Sequence, residues 1–495
     1  MLTQRALDRR AAQNIPLDIL DVPIHQPYVD QIDAASGITV MAKSKWLNAV
    51  HVRGSVSNIQ ALGNLGFVSE VYFADRSLNP QGRIGSSART LQARTANQMV
   101  DFQYGSSANQ IEMLNGHILH EMGFTGEGKI IAVLDAGFPG VNTVNPFKRI
   151  RDNNKILGGY NFVSNSTDIY TLDSHGTMVL STMGGYVVNQ LVGTAPDASY
   201  LLYVTEDVSS ENPVEESYWV AAAEEADRMG ADIINTSLGY FLYDDPDYSY
   251  TYDDINGMTS FASRGADIAF SRGMVVVVSA GNSGGSSEPY VGMPGDAINA
   301  LTVGAVTGWG EYVGFSSIGP TADGRIKPDV MAKGYQATVA MPNGTITVAN
   351  GTSFSGPIIA GMVATFWSAF PNLSNEEVVQ YIKESSHLFS MPDDFMGYGI
   401  PDFLMAYQTV ELSVEQQSES PFVVYPNPSS GNVTVDLPDN IMSADVYLYD
   451  SIGRSIYHTT VTDGASFDVS DIGSGVYLYS IKANGASSTG RLVKQ

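Results

Sequence analysis

The sequence predicts an α/β fold with a mainly parallel sheet and helices on both of its faces, preceded by a small α+β region and followed by a small all-β sandwich. Continuous apolar runs such as KIIAVLD (129–135) and MVVVVSAG (274–281) are typical of parallel strands that are covered on both sides. A helical stretch lies between them at 213–230, with acidic residues near its start. Short segments of alternating polar and apolar residues then fill 421–495.

The N-terminal region, residues 1–83, has the pattern of a compact α+β unit. Residues 37–44 and 49–55 are predicted strands, 58–65 a short helix and 69–75 a further strand. The chain then becomes rich in Arg, Ser, Gln and Gly and loses its apolar periodicity. We therefore expect a protease-accessible linker with a processing site at 84–104.

The central domain is predicted at 105–408, because strands alternate with helices over this length. Its further predicted strands are 231–237 and 297–306. A polar, acidic linker is expected at 409–420. The predicted strands of the terminal sandwich are 432–437, 444–450, 455–461 and 475–481.

The charge of the chain is strongly acidic and unevenly placed. The 495 residues include 26 basic and 52 acidic side chains, which gives a formal net charge of −26. A protein of this charge repels phosphate backbones, so we expect no nucleic-acid partner. Residues 1–100 are mildly basic, with 10 basic and 7 acidic side chains. This asymmetry favours association of the basic region with the acidic body, although solubility alone also accounts for it.

Several protein classes are disfavoured by what the sequence lacks. It contains no cysteine, which excludes disulfides, thiolate metal sites and a cysteine nucleophile. No apolar run of about 18 residues occurs, so no transmembrane segment is predicted. The first 25 residues show no secretory signal. Either the protein remains inside the cell, or the natural chain begins upstream of this sequence.

Four segments of the central domain carry residues suited to acyl transfer. Asp135 ends a predicted strand, where the carboxyl edge of a parallel sheet gathers active-site groups. His175 and Ser353 each stand at the start of a predicted helix, and Asn282 follows a strand. A serine nucleophile needs a base, a carboxylate that orients the base, and donors for the oxyanion. The four residues supply these types in the order Asp, His, Asn, Ser.

Each of these residues has a simpler explanation when it is considered alone. A strand-ending Asp is commonly a turn cap, a Ser before a helix is commonly an N-cap, and Asn favours glycine turns for backbone reasons. A lone His next to Gly and Thr is more often structural. Their joint occurrence in one α/β domain indicates a catalytic set.

The segments VLDAGF, DSHGTMV, SAGNSG and NGTSFSGP resemble the four signature blocks of the subtilisin-like serine peptidases, the subtilases, over about 105–408. The resemblance implies a triad of Asp135, His175 and Ser353, with Asn282 and the Ser353 amide as oxyanion donors. It also implies that Ser237, Leu238 and Gly239, together with Ala280 and Gly281, line the substrate cleft. The departures from the family pattern are Met178, Phe354 and Ile358.

The two flanking regions resemble companion modules. Residues 22–83 are similar to the subtilase propeptide, which would make the chain's own N-terminal region an intramolecular inhibitor. Residues 421–495 contain YPNPSSG, LYDSIGR and a basic end, GRLVK, and resemble a type A sorting domain of the type IX secretion system found in Bacteroidetes-type bacteria. This implies the type IX machinery as a partner and a secreted or cell-surface location. A generic fibronectin-like adhesive module is the alternative for the tail.

The leading hypothesis is a secreted serine endopeptidase that acts on protein or peptide substrates through an acyl-enzyme. The alternative from another class is a cell-surface binding protein on an inactive protease scaffold, and an intracellular processing protease is a third. No cofactor is expected for catalysis. A structural calcium ion is compatible with the acidic stretch at 244–254, but a solvated insertion explains it as well, and no metal ligands are assigned.

Overall fold

The computed structural model describes residues 2–79, 102–171, 173–417, 422–437, 441–449, 455–483 and 486–494. The chain forms two compact units, Met1–Tyr407 and Gln408–Gln495. Most of the linker predicted at 84–104, including its expected processing site, lies outside the described residues.

The N-terminal region has the predicted α+β character. Its helices and strands are α1 (Gln4–Ala12), α2 (Gln26–Asp33), β1 (Thr39–Ser44), β2 (Ala49–Arg53) and α3 (Val56–Ala61). The two strands pair in antiparallel fashion. A small core of Ile32, Ile38 and Leu62 lies beneath them.

The strand predicted at 69–75 is wrong. In the described part of the chain, residues 69–73 form no regular secondary structure, 74–75 form a bend, and the segment pairs with no strand. Val71, within it, packs against the small core, so its apolar residues serve to cover that core rather than to extend the hairpin. The predicted helix at 58–65 begins earlier, at Val56, because Ser55 caps it by accepting a hydrogen bond from the Asn58 amide.

A seven-stranded parallel sheet forms the centre of the predicted central domain, which confirms the predicted α/β class. Its strands are β3 (Ile130–Asp135), β4 (Ile156–Asn161), β7 (Ser199–Val204), β8 (Ile233–Thr236), β9 (Val275–Ser279), β10 (Leu301–Val306) and β11 (Val330–Lys333). They have the spatial order β11-β10-β9-β8-β3-β7-β4, and every neighbouring pair is parallel. Two short hairpins accompany the sheet, formed by β5 (Tyr186–Val187) with β6 (Leu191–Val192) and by β12 (Ala337–Ala340) with β13 (Ile346–Ala349).

The helices pack around this sheet. They are α4 (Ala108–Glu112), α5 (Gly116–Glu121), α6 (Lys148–Asp152), α7 (His175–Gly184), α8 (Val214–Met229), α9 (Phe261–Ser271), α10 (Thr352–Ala369), α11 (Asn375–Glu384) and α12 (Phe403–Gln417). Helix α10 is buried almost all round and packs against β8, β9, β10 and β11, whereas α8 and α9 pack against each other. A helix that is apolar on every side belongs in the core, and α10 lies there.

The linker predicted at 409–420 is helical up to Gln417, because α12 continues through it. The segment ELSVEQQ is polar, which suggested a linker, but Glu, Leu and Gln are also strong helix formers. Polarity therefore did not distinguish a linker from a helix end here.

Beyond the end of α12, the described residues of the C-terminal unit form an all-β domain, as predicted. Its strands are β14 (Val423–Tyr425), β15 (Asn432–Asp436), β16 (Ser443–Tyr449), β17 (Ser455–Thr462), β18 (Ala465–Asp468), β19 (Gly475–Ala483) and β20 (Ala486–Lys494). They form a three-stranded sheet, β14-β15-β18, and a four-stranded sheet, β17-β16-β19-β20, with antiparallel pairing throughout. Both sheets contribute to one core, with Val433 from the first and Val446 and Ile481 from the second.

Within the part of the chain that the structure describes, no helix has both the length and the apolar character needed to cross a bilayer.

A buried ion cluster joins the start of β11 to α11. Asp329 accepts hydrogen bonds from Lys327 Nζ at 2.6 Å and from the Thr302 amide at 2.8 Å, and Lys383 Nζ lies 2.5 Å from its other oxygen. Burial alone would raise the pKa of Asp329, but the two lysines outweigh it and lower the pKa from 3.8 to about 2. The cluster therefore stabilises the fold above about pH 4, and this contribution is lost as the pH falls towards 2.

Replacing Asp329 with asparagine should lower the free energy of unfolding by about 3–5 kcal/mol, because Lys327 would keep a buried charge without its partner. Urea unfolding followed by tryptophan fluorescence measures the change. The matched control is Asp152→Asn, which removes an exposed pair with Lys148 and should cost about 1 kcal/mol or less. Equal losses for the two variants would contradict the prediction.

Candidate active site

The carboxyl edge of the parallel sheet places the first residue of the site. Asp135 is the last residue of β3, which has parallel neighbours on both sides, and its side chain is fully buried. Its Oδ1 accepts a hydrogen bond from the Ala136 amide at 2.7 Å. The other oxygen, Oδ2, is buried and has no hydrogen-bond partner among the described residues. A buried carboxylate this poorly satisfied needs a cationic or strongly donating neighbour.

His175 is that neighbour. It is the first residue of α7, and its amide donates to Asp173 Oδ1 at 2.8 Å, which fixes the start of the helix. Nδ1 of the ring lies 2.8 Å from Asp135 Oδ1. Because the carboxylate oxygen accepts, Nδ1 carries the proton, and Nε2 is left as the basic nitrogen. The side chain is 25% exposed, so the ring is open to solvent on one side.

The pKa of His175 is raised above its ordinary value of 6.5. Burial alone would lower this pKa, but the charge and hydrogen bond of Asp135 outweigh burial, with smaller contributions from Asp173 and Glu206. The carboxylates around the ring therefore stabilise its protonated form.

Ser353 lies in the first turn of α10, where the backbone amides have no partner within the helix. Its hydroxyl donates to the Ser237 carbonyl at 3.2 Å, and the Ser237 hydroxyl donates back to the Ser353 carbonyl at 3.0 Å. Among the described residues no hydrogen bond joins Ser353 to His175. The next side chain, Phe354, places its ring 6.1 Å from the His175 ring between centroids, so the start of α10 lies beside the imidazole. In enzymes without substrate, catalytic hydrogen bonds are often long and tighten on binding.

Asn282 is held against the start of α10 in one orientation. Its Oδ1 accepts from the Thr352 amide at 2.9 Å and from the Thr352 hydroxyl at 3.1 Å. Only the oxygen of an amide can accept, so these bonds leave the two Nδ2 hydrogens free for another group. Gly351, with φ +146°, takes a backbone conformation that disfavours side chains, and a Cβ there would lie 3.5 Å from Asn282 Nδ2. The Asn282 amide is thus an oriented donor next to Ser353.

A cleft of about 270 Å³ opens beside His175. Ala136, Ser237 and Leu238 form part of its wall. Of the five residues predicted to bind substrate, Ser237 and Leu238 line this cleft, whereas Gly239, Ala280 and Gly281 do not. Gly281 instead donates its amide to the Thr352 hydroxyl at 3.1 Å.

The remaining wall of the cleft is acidic, which the sequence analysis missed. Five carboxylates line it: Asp173, Glu206, Asp207, Glu211 and Glu215. Burial, reinforced by the charge of its neighbours, raises the pKa of Glu206 to about 8, and burial raises the pKa of Glu215 to about 7. The four carboxylates at 206–215 could have been predicted from their position in the sequence, because this segment follows the carboxyl end of β7, the neighbour of β3.

The structure assigns no calcium site. In the described ranges no group of three or more His, Asp or Glu side chains is placed to hold a metal ion. The acidic stretch at 244–254 makes hydrogen bonds within the protein. For example, the Asp244 carboxylate accepts a hydrogen bond from the Glu211 amide at 3.1 Å.

Comparison with known proteins extends over all three regions of the chain. Residues 126–399 match the model of the subtilase family, peptidase S8. Residues 1–92 match the peptidase S8 propeptide domain of Bacteroidota, and 423–495 match a secretion system C-terminal sorting domain. These matches agree with the order of regions that the sequence predicted, and the sorting domain implies secretion or attachment to the cell surface.

Individual relatives show the same similarity. Subtilisin NAT of Bacillus subtilis subsp. natto is 32% identical over 302 residues, which cover 60% of this chain and 70% of that protein. Subtilisin of Bacillus pumilus is 30% identical over 302 residues, which cover 60% of this chain and 98% of that protein. The solved structure of the MycP3 protease from the type VII (ESX-3) secretion system has the same fold, with a TM-score of 0.50 and 20% identity over 64% of this chain and 93% of that one. The chain therefore belongs to the subtilase family and is a serine-type endopeptidase.

Proposed function

We propose that Asp135, His175 and Ser353 form the catalytic triad of this peptidase, with Asn282 as an oxyanion donor. The observation that carries the proposal is the 2.8 Å hydrogen bond from His175 Nδ1 to the buried Asp135, with the start of α10 beside the imidazole. This bond sets the tautomer in which Nε2 can accept a proton.

The proposed reaction proceeds through an acyl-enzyme. His175 Nε2 removes the hydroxyl proton of Ser353 while Oγ attacks the scissile carbonyl carbon. Asn282 Nδ2 and the Ser353 amide donate to the resulting oxyanion, and Asp135 stabilises the imidazolium. The imidazolium then gives its proton to the leaving amine as the C–N bond breaks. Water, activated by the same nitrogen, hydrolyses the ester and restores Ser353.

Removing members of this set should reduce activity by unequal amounts. Ser353→Ala or His175→Ala should lower kcat by roughly 10⁶-fold. Asn282→Ala should lower it by about 10²–10³-fold, because the Ser353 amide would still stabilise the oxyanion. Steady-state hydrolysis of a chromogenic peptide by the processed enzyme measures these losses.

Undiminished hydrolysis by the Ser353→Ala variant would refute the nucleophile. A fluorophosphonate probe adds an independent readout, since it should label the unsubstituted chain and leave Ser353→Ala unlabelled. If it labels neither chain, the alternative of a cell-surface binding protein on an inactive protease scaffold is favoured.

The acid limb of the kcat/KM profile should lie above pH 6.5, because His175 must be neutral to act as a base and its pKa is raised above that value. Activity is therefore lost as the pH falls through the raised pKa. Asp173→Asn removes one of the carboxylates that raise it and should move the limb to lower pH. Glu225→Gln, which removes a carboxylate paired with Arg228, is the matched control and should leave the limb in place. A limb below pH 6.5 in the unsubstituted enzyme would contradict the prediction.

We also propose that the acidic cleft accepts a basic side chain of the substrate. All five of its ionisable groups other than His175 are carboxylates, and Glu206 and Glu215 gain charge as the pH rises through about 8 and about 7. A lysine or arginine in this cleft would be attracted by the combined field, and its approach would favour ionisation of both glutamates.

Peptides with Lys, Gln or Glu at each position before the scissile bond test this specificity. At the position that occupies the cleft, kcat/KM for Lys over Gln should be about tenfold, equivalent to about 1.4 kcal/mol. The ratio should rise from pH 6 to pH 9, and taking a ratio cancels the titration of His175. Asp207→Asn combined with Glu211→Gln should reduce it. A preference for Glu at every position would refute the proposal.

The flanking regions complete the proposed function. We propose that residues 1–83 act as an intramolecular inhibitor that is separated from the enzyme by cleavage within 84–104, and that 421–495 are recognised by the type IX secretion machinery. The family matches of both regions support these roles. No cofactor takes part in any step of the proposed reaction.

A further inference from the structure

We propose that residues 3–21 form a second anchor, which holds the N-terminal region on the catalytic region at the edge of the sheet opposite the active site and keeps it bound after the chain has been cut. The inference deepens the proposed inhibitory role of this region. It concerns binding alone, so it can be tested without catalysis.

The centre of this anchor is a buried ion cluster. Arg9 and Arg10 of α1 have side chains that are only 4% and 2% exposed, and both contact Asp227 near the end of α8, which is fully buried. Arg9 Nη2 lies 2.5 Å from Asp227 Oδ1, and Arg10 Nη2 lies 2.8 Å from Oδ2. Removing one partner of such a cluster leaves an uncompensated charge, which is strongly unfavourable inside a protein.

Contacts on both sides of this cluster extend the anchor. Arg10 also pairs with Asp21 at 3.0 Å, which draws the segment after α1 against the cluster. A further ion pair has the opposite polarity, because the basic partner, Arg272, belongs to the catalytic region and pairs with Asp18 at 2.9 Å. Reciprocal pairing of this kind fixes one register between the two surfaces.

Close packing and neutral hydrogen bonds add to the ionic contacts. Gln13 donates to the Gly273 carbonyl at 2.9 Å and accepts from the Asn375 amide at 3.1 Å. Gly230, with φ +84°, ends α8 directly beneath α1, and a Cβ on it would lie 2.9 Å from the Ala6 amide nitrogen. The surfaces of α1 and α8 are therefore fitted to each other and are not merely of opposite charge.

The anchor lies about one strand length from the active site. Arg5 pairs with Asp232, whose carboxylate also accepts the amide of Ile130, the first residue of β3. Asp135 is the last residue of the same strand, roughly 17 Å away at about 3.3 Å per residue. The anchor is thus at the amino edge of the sheet, whereas the proposed triad is at its carboxyl edge.

The hairpin of β1 and β2 makes a separate contact with α8. Ser44 donates to Glu224 at 2.6 Å, and His51 contacts Ser217 at 2.7 Å. Hairpin and anchor are joined through residues 22–38, and Arg76 makes a third contact, with Asp254 at 2.6 Å, so the N-terminal region is multivalent. When one contact opens, the others keep the region at high effective concentration, and rebinding is faster than escape. None of these contacts involves residues 80–101, so a cut there breaks none of them.

The test uses the full chain with Ser353→Ala and a recognition sequence for a specific external protease placed within 80–101. After cutting, the dissociation rate of the N-terminal fragment is measured by dilution and native mass spectrometry. We expect the fragment of the otherwise unsubstituted chain to stay bound. Asp227→Asn, or Arg9→Gln with Arg10→Gln, should raise the rate roughly 10²–10³-fold. Combining the three changes should add little, since they remove one shared cluster.

The matched control is Asp8→Asn on the exposed face of α1, where the carboxylate accepts a hydrogen bond from Gln4, and it should leave the rate unchanged. Raising the salt concentration to 1 M should change the rate far less than Asp227→Asn does, because buried pairs are weakly screened. Equal rates for Asp227→Asn and the unsubstituted chain would refute the anchor, whether both fragments stay or both leave.

A second measurement does not use the anchor variants, so it does not depend on whether those variants fold. Amide hydrogen exchange in α1 of the Ser353→Ala chain should show the same protection before and after the cut, since the anchor does not require covalent attachment. Loss of that protection on cutting would overturn the proposal. Neither readout measures catalysis. Failure of the triad assignment would appear as cleavage of the Ser353→Ala chain before the external protease is added, and it is therefore distinguishable from failure of the anchor.

Discussion

The hydrogen bond between the Asp135 carboxylate and His175 is the interaction on which the arrangement of the site depends. Asp135 can make it because β3 is an interior strand whose parallel neighbours bury it completely and end at the same edge. Burial of a carboxylate is costly without a partner. Among the residues that the structure describes, one oxygen of Asp135 accepts from His175 and from the Ala136 amide, while the other has no hydrogen-bond partner. Burial makes the Asp135 charge costly, and for the same reason it makes a positively charged imidazole beside the carboxylate favourable. Stabilisation of the imidazolium is therefore a consequence of strand topology.

The acidic character of the chain is concentrated at places where it changes the chemistry. At the carboxyl edge of the sheet, carboxylates line the cleft and contribute to the raised pKa of His175. Near the amino edge, Asp227 and Asp232 receive arginines from the N-terminal region. Helix α8 connects the cleft to the buried ion cluster, because Glu215 near its start lines the cleft and Asp227 near its end belongs to the cluster. Opposite charges on the first hundred residues thus meet specific partners in the acidic body, beyond any general effect on solubility.

Sequence patterns predicted four strands of the sheet and missed three. The strands β3, β8, β9 and β10 were predicted from unbroken apolar runs, whereas β4, with the sequence ILGGYN, has two glycines and a half-exposed pattern that hides it. The strands β7 and β11 were missed although they are almost completely buried. The four proposed catalytic residues were found because short motifs carry them. Of the cleft carboxylates, Asp173 belongs to the His175 motif, but the four at 206–215 lie in no motif. They reach the cleft because β7 lies next to β3, and only the fold shows this. The sequence likewise indicated that a basic region faces an acidic one, but not that Arg9 and Arg10 share Asp227, since pairing depends on how α1 lies on α8.

The separation of the two edges of the sheet explains how one region can be held tightly and still be released. Suppose that the N-terminal region contacted the enzyme at the proposed triad alone. A strong contact there would block the enzyme permanently, and a weak one would fail to keep the enzyme inactive. Placing a buried cluster around Asp227 about one strand length away removes this conflict, because binding strength is then set by residues that take no part in the chemistry. The contact near the cleft can remain weak, since the distant anchor supplies the effective concentration. If the N-terminal region inhibits the enzyme as proposed, substitutions at the anchor should change the duration of inhibition without altering Asp135, His175 or Ser353.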